Sequence, residues 1–138
     1  IILRDLGNLQ EAELSCRKAI EIKSDFADAH YNMGIILKDL GNLQEAELSC
    51  RKAIEIKPDF AEAYLNLGII LVDIGKLDDA ISSFQRALHI EKDNEASLIG
   101  LGNVLIKKGE YREGMRLIKK GEGFIMFDNS IPIMEIYS

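Results

Sequence analysis

Lysine and arginine nowhere gather into a stripe; the chain has 17 basic residues against 23 acidic ones and a net charge of −6. The electrostatic footprint of a nucleic-acid binder is therefore missing. Apolar runs such as Met33–Leu37 fall far short of the roughly 20 residues needed to span a membrane. Arg4 and Asp5 interrupt the only apolar start, so no secretory signal is read there. The two histidines, His30 and His89, have no cysteine or histidine at ligand spacing, and no metal or other cofactor is expected. Two cysteines in 138 residues, with no targeting signal, fit a reducing, cytoplasmic setting. About half the residues are apolar, which argues against disorder and for one packed domain.

What is present is a repeat. Ile1–Phe26 recurs at Ile35–Phe60 with only Arg4 to Lys38 and Ser24 to Pro58 changed, an offset of 34 residues. The period extends further. Gly7, Gly41, Gly75 and Gly109 share one register, Ala12, Ala46 and Ala80 another, and Cys16, Cys50 and Phe84 a third. Each unit reads as two helices. His30, Met33, Gly34 and Leu37 form an apolar stripe at helical spacing, and Gly41 stops the helix because it tolerates a left-handed conformation. Asn42 with Glu45, and Asn8 with Glu11, then read as capping boxes for the second helix. That helix carries Leu43, Ala46, Cys50, Ala53, Ile54 and Ile56 inward. Pro58 ends it, and Asp59 with Glu62 opens the next.

Gly34, Gly68 and Gly102 sit mid-helix, where glycine costs about 1 kcal/mol against alanine. Recurrence at one register implies close approach of the partner helix, with Ala46 and Ala80 serving it from the other side. Cys16 and Cys50 read as small core residues, because neighbouring helices lie too far apart for a bridge between them. His30 is expected to be a packed ring with a satisfied nitrogen, and His89 a surface residue.

The 34-residue helix–turn–helix unit resembles the tetratricopeptide repeat. The resemblance rests on Tyr64, Leu67, Gly68, Leu71, Ala80, Phe84 and Ala87, and on His30, Met33, Gly34, Leu37, Ala46, Cys50, Ala53 and Pro58. It implies an all-α fold, an α-solenoid of stacked antiparallel helix pairs over residues 1–121. The expected units are a partial repeat at 1–26 and repeats at 27–60, 61–94 and 95–121. Lys92 stands where the family has proline, and Gly114 and Gly121 where it has alanine, so the last repeat should be the loosest. Ile1–Leu6 reads as the end of a helix whose beginning is missing, making the chain a fragment of a longer array. Residues 122–138 leave the repeat frame as a tail of two short extended segments around Asn129–Ser130 and Pro132. It is either a flap over the last pair, or an arm or first strand of something further.

Chemistry is sparse. Gly68 to Gly75-Lys76-Leu77 is too long for a phosphate loop and lacks its Ser/Thr, and Gly100-Leu101-Gly102 lacks the third glycine of a dinucleotide fingerprint. Asp78-Asp79 opens a helix, where negative charge suits the dipole. No catalytic residue is assigned, and the chain reads as a non-enzyme.

Surface remains. In such an array the first helix of each pair lines the concave side. Its exposed stripe would be Tyr31, Asn32, Ile35, Lys38 and Asp39, then Leu65, Asn66, Ile69, Val72 and Asp73, then Ile99, Asn103 and Ile106. The centre is apolar and the rim charged, the pattern of an interaction site. Some of these side chains, Leu65 and Ile99 first, could instead pack between repeats. Asn32 and Asn66 share a register that resembles the asparagine ladder of O-linked N-acetylglucosamine transferases. An amide can pair with an extended backbone whatever its sequence, though a solvated or locally bonded asparagine is an equal reading. The ladder breaks at Gly100. No transferase activity follows from the resemblance. A carboxylate clamp is not expected, since Lys38 is set against Asp39 and Asp73.

The expected function is binding of a neutral or basic protein or peptide segment in the concave groove, without nucleic acid, membrane or cofactor. Two alternatives are open: a scaffold that self-associates into a homo-oligomer through the N-terminal edge or the tail, and an appendage recruiting substrates to an enzyme domain elsewhere.

Overall fold

A computed structural model describes residues 3–123 and contains, among them, seven helices and no strand. They are α1 (Leu3–Ile22), α2 (Ala27–Asp39), α3 (Leu43–Ile56), α4 (Ala61–Ile74), α5 (Leu77–Ile90), α6 (Glu95–Lys107) and α7 (Tyr111–Gly121). The last six pair as α2/α3, α4/α5 and α6/α7, and α1 packs on α2. The result is the all-α solenoid of stacked helix pairs. Of the expected tail, Glu122 and Gly123 form a turn after α7, and residues 124–138 lie outside the described residues.

Three left-handed glycines make the hairpins. Gly41, Gly75 and Gly109 have φ of 85°, 95° and 90°. In each case the next residue closes the helix end: Asn42 N–H bonds Leu37 O, Lys76 N–H bonds Leu71 O and Glu110 N–H bonds Leu105 O, all at 2.8 Å. This six-residue closure satisfies carbonyls that a helix end would otherwise orphan.

The expected break at Gly7 does not occur. Its φ is not positive, and α1 runs through it and through Asn8 without a turn. Gly41 turns within the same local sequence because α2 folds back onto α3 and buries its apolar stripe there. Around Gly7 and Asn8 the chain instead stays helical, which keeps the hydrogen bonds of α1 at the modest cost of one glycine. The capping boxes also fail. Asn42 precedes α3 but makes no side-chain cap bond, and its N–H, which a capping box would give to Glu45, is bonded to Leu37 O instead. Phe60, not Asp59, is the residue before α4, again without a side-chain bond. Among the described residues the side-chain cap is Asn94, whose Oδ1 accepts from Ser97 N–H at 2.8 Å.

One core runs through all the pairs, with Leu37, Cys50, Ile70, Leu71, Phe84 and Val104 fully buried. The mid-helix glycines set its thickness. A Cβ on Gly34 would lie 2.6 Å from Cys50 Sγ, and one on Gly68 would lie 2.7 Å from Phe84 Cε1. In the last pair, Cβ atoms on Gly102 and Gly114 would each meet the other's carbonyl oxygen at 2.6 Å. Far from loosening that pair, Gly114 lets the two backbones touch. His30 is half-buried with Nε2 2.9 Å from Ser24 O, and His89 is exposed.

Ion pairs bind successive units along the second helices. Arg17 reaches Glu45 at 2.9 Å, Lys76 reaches Glu47 at 3.4 Å, and Lys108 contacts Asp78. Glu47 is the buried member, 9 % exposed, and also receives Arg51 at 2.9 Å. Burial alone would raise its carboxyl, but the hydrogen bonds from Arg51 and Lys76 outweigh that and hold it below its ordinary range. A depressed carboxyl contributes stability above its unfolded range and loses it as pH falls through the folded value. Glu47→Gln should therefore be less stable than the parent at neutral pH and lose less stability between about pH 5 and 3, read by thermal melts across pH. Parallel curves for the two proteins would contradict this. Gly68→Leu should cost about 1–3 kcal/mol in denaturant unfolding, because the buried Phe84 ring has nowhere to move.

Candidate interaction groove

The first helices touch in succession, α2 with α4 and α4 with α6, whereas α3, α5 and α7 do not touch one another. Contact on one side and separation on the other curves the stack, with α2, α4 and α6 on the inside. Helical spacing then decides which side chains face the hollow. Met33 and Leu37, Leu67 and Leu71, and Leu101 and Leu105 are buried, and the opposite stripe of each helix holds residues 28, 32, 35 and 39, their counterparts 62, 66, 69 and 73, and 96, 100, 103 and 107.

The expected groove residues divide on inspection. Asn32, Asp39, Asp73 and Asn103 are exposed, and Ile35, Lys38, Ile69, Val72 and Ile106 half-buried. Leu65, Ile69 and Val72 lean partly on the core. Ile99 turns toward its own partner helix, its Cγ1 2.9 Å from where a Cβ on Gly121 would be, and Ile106 Cγ1 meets Gly114 in the same way at 2.7 Å. Ile69, Val72, Asp73, Asn103 and Ile106 come together, with Gly100 and Lys107, around a depression of about 430 Å³ between α4 and α6. Its floor is Phe84 and Val104. Asp39 stands apart, lining a second hollow of about 480 Å³ with Asp5, Asn8 and Leu9 of α1.

The two asparagines are not equivalent. Asn66 Nδ2 donates to Glu62 O at 3.0 Å and to the Tyr31 hydroxyl at 3.3 Å. Tyr31 in turn packs on Phe60, ring centroids 4.8 Å apart, and its hydroxyl is pushed up, first by burial and then by the Glu62 charge. Asn66 and Tyr31 thus tie α2 to α4. Among the described residues the side chains of Asn32 and Asn103 make no hydrogen bond.

Charge is segregated. Among the described residues every ion pair involves second helices or connecting turns, whereas Asp28, Asp39, Glu62 and Asp73 on the groove stripe form none, nor do Lys38 and Lys107. Four carboxylates against two ammonium groups make this face acidic. No group of three potential metal-ligating residues occurs among the described residues, and no helix of the described residues is long and apolar enough to cross a membrane. Burial pushes the Cys50 thiol up to about 12, so it stays protonated and is no nucleophile. What the face offers is apolar area, amides and unneutralised carboxylates.

Phe84 was missed as a groove residue because it belongs to a second helix and shows itself only through Gly100. The signal lay in the repeat registers, where Phe84 with Gly100 replaces Cys50 with Asn66.

The family model for the tetratricopeptide repeat matches residues 27–60 and 61–94, and that for the TPR repeat matches residues 2–41. A search of curated proteins finds no match. Among solved structures, a crystal structure of MamA is 24% identical and superposes with a TM-score of 0.80, the alignment covering 88% of this chain and 71% of that one. MamA 41-end from Desulfovibrio magneticus RS-1 is 20% identical with a TM-score of 0.78, over 88% and 69%. A mutant O-GlcNAc transferase of Thermobaculum terrenum is 27% identical with a TM-score of 0.75, over 80% of this chain and 22% of the transferase.

The hydrogen bond from Asn66 to Tyr31 generates a test. Asn66→Ala should cost about 0.5–1.5 kcal/mol in denaturant unfolding, and Asn32→Ala, which breaks no bond, should cost nothing measurable. Equal costs would contradict the distinction.

Proposed function

The chain belongs to the tetratricopeptide repeat family, and from that premise we propose that it is a non-catalytic module binding a partner's extended or helical segment in its concave face. One observation carries the reading: the inner face combines half-buried apolar side chains with carboxylates that find no internal cation, while the ion pairs that link successive units lie on the outer side. Groove isoleucines and valine would bury partner side chains at about 25 cal/mol per Å². Asn32 and the unused carbonyl of Asn66 would fix the partner's backbone. The acidic rim favours neutral or basic segments and speeds their encounter. Residues Tyr31, Asn32, Ile35, Lys38, Asp39, Leu65, Asn66, Ile69, Val72, Asp73, Asn103 and Ile106 form this surface in the proposal, with Ile99 supporting it from behind.

A second reading has its own observation. Ala12, Cys16 and Ala19 on α1 are half-buried, whereas Ala46, Cys50 and Ala53, in identical sequence on α3, are fully buried. That face would accept another helix, so self-association through α1 is the rival; a light-scattering mass that stays monomeric with concentration would end it.

Affinity capture from lysate tests the groove. A protein retained by the parent should be lost by the Asn32→Ala/Asn66→Ala variant while the variant's circular dichroism stays helical. Full retention by the folded variant would contradict groove binding.

A further inference from the structure

Resting on the groove reading, we propose that the groove changes chemistry at Gly100, from amide rungs to an apolar socket, and that the bound segment presents one large apolar side chain there, flanked by basic residues.

The change follows from one steric coupling. Phe84 is 1 % exposed, and its ring edge is wedged between α4 and α6. A Cβ on Gly68 would lie 2.7 Å from Cε1, and a Cβ on Gly100 would lie 2.7 Å from Cε1 and 2.8 Å from Cζ. With phenylalanine at this register of the second helix, the following first helix cannot carry a side chain opposite it. One repeat earlier the smaller Cys50 stands in that register and Asn66 opposite it; at the N-terminal end Cys16 is matched by Asn32. Across the three registers 16/32, 50/66 and 84/100, cysteine thus stands with asparagine and phenylalanine with glycine. In its present position the Phe84 ring leaves no room for a rung at residue 100.

Beside Gly100 the groove surface is hollow. The depression of about 430 Å³ lies at Gly100, walled by Ile69, Val72 and Ile106 and floored by the Phe84 ring. That volume is within the range of about 300–1,000 Å³ typical of ligand sites, and its walls are mainly apolar, with Asn103 among them, so the group it takes is an aliphatic or aromatic side chain. Charge selects the flanks. Asp73 and Lys107 stand at the rim, and along the whole stripe four unpaired carboxylates outnumber two lysines. Neighbouring lysines or arginines on the ligand match that surplus.

The test uses two fluorescein-labelled peptides, identical Lys/Gly/Ser sequences differing only at one central residue, phenylalanine in one and serine in the other. Anisotropy titration of the intact chain should give roughly tenfold or greater preference for the phenylalanine peptide, the scale of burying one aromatic side chain. The Phe84→Cys/Gly100→Asn variant recreates the pairing of Cys50 with Asn66. It should bind both peptides with the preference abolished, and it should melt higher than Gly100→Asn alone, in which the asparagine meets the ring. Ile69→Ser leaves the wedge intact and should also reduce the preference. Equal binding of both peptides by the parent, or a preference that survives in the double variant, overturns the socket while leaving groove binding intact. Failure of the phenylalanine peptide to bind overturns the basic, apolar ligand assigned here. Peptide binding indifferent to Asn32→Ala, with the phenylalanine preference kept, would instead count against the amide rungs and leave the socket standing.

Discussion

How closely the two helices of a unit can approach governs the rest of this structure. At Gly34 the second helix presents a cysteine sulfur, at Gly68 a phenylalanine ring and at Gly102 another glycine. The first helix supplies the same missing side chain each time, and the second helix answers with whatever fills the gap. Glycine's unfavourable helix propensity, about 1 kcal/mol each, is offset by core contact along the whole pair. Because the three fillings differ in size, the consequences reach through to the opposite face of the first helices, where the groove lies. The core and the candidate site are in this sense one packing problem.

The period, the helix pairs, the left-handed glycines and the buried stripe were legible in the sequence, since each depends on residues close together within one unit. What depends on neighbouring units was not. Residues 5–12 and 39–46 are the same eight amino acids, yet the first run is continuous helix and the second contains a hairpin turn. Local chemistry permits both, and the packing of α2 onto α3 chooses. The same limit explains why the capping box at Asn42 does not form, its N–H being taken up by the preceding helix, and why Glu47 is buried, its cations coming from the next turn of its own helix and from Lys76 in the following unit.

The groove shows the limit from another side. Helical spacing placed Asn32 and Asn66 in one register correctly, but only three-dimensional contact separates an amide bonded to Tyr31 from one open to solvent. Likewise the gap in the asparagine register at Gly100 reads as an interruption in the sequence and as a consequence in the structure, because Phe84 occupies the space. On the outer helices Glu45, Glu47 and Asp78 form ion pairs that link successive units, whereas Asp28, Asp39, Glu62 and Asp73 of the inner helices are exposed and form none. In the proposed function, recognition falls on the face opposite the inter-unit ion pairs, so those pairs do not consume the charge of the inner face.

The most direct test of this division is amide chemical-shift mapping of the isotope-labelled chain during titration with a partner captured from lysate. The account predicts that perturbed amides cluster on α2, α4 and α6, around Asn32, Ile69 and Asn103, with the outer faces of α3, α5 and α7 unchanged. Perturbations centred on the second helices, or on α1 alone, would contradict it.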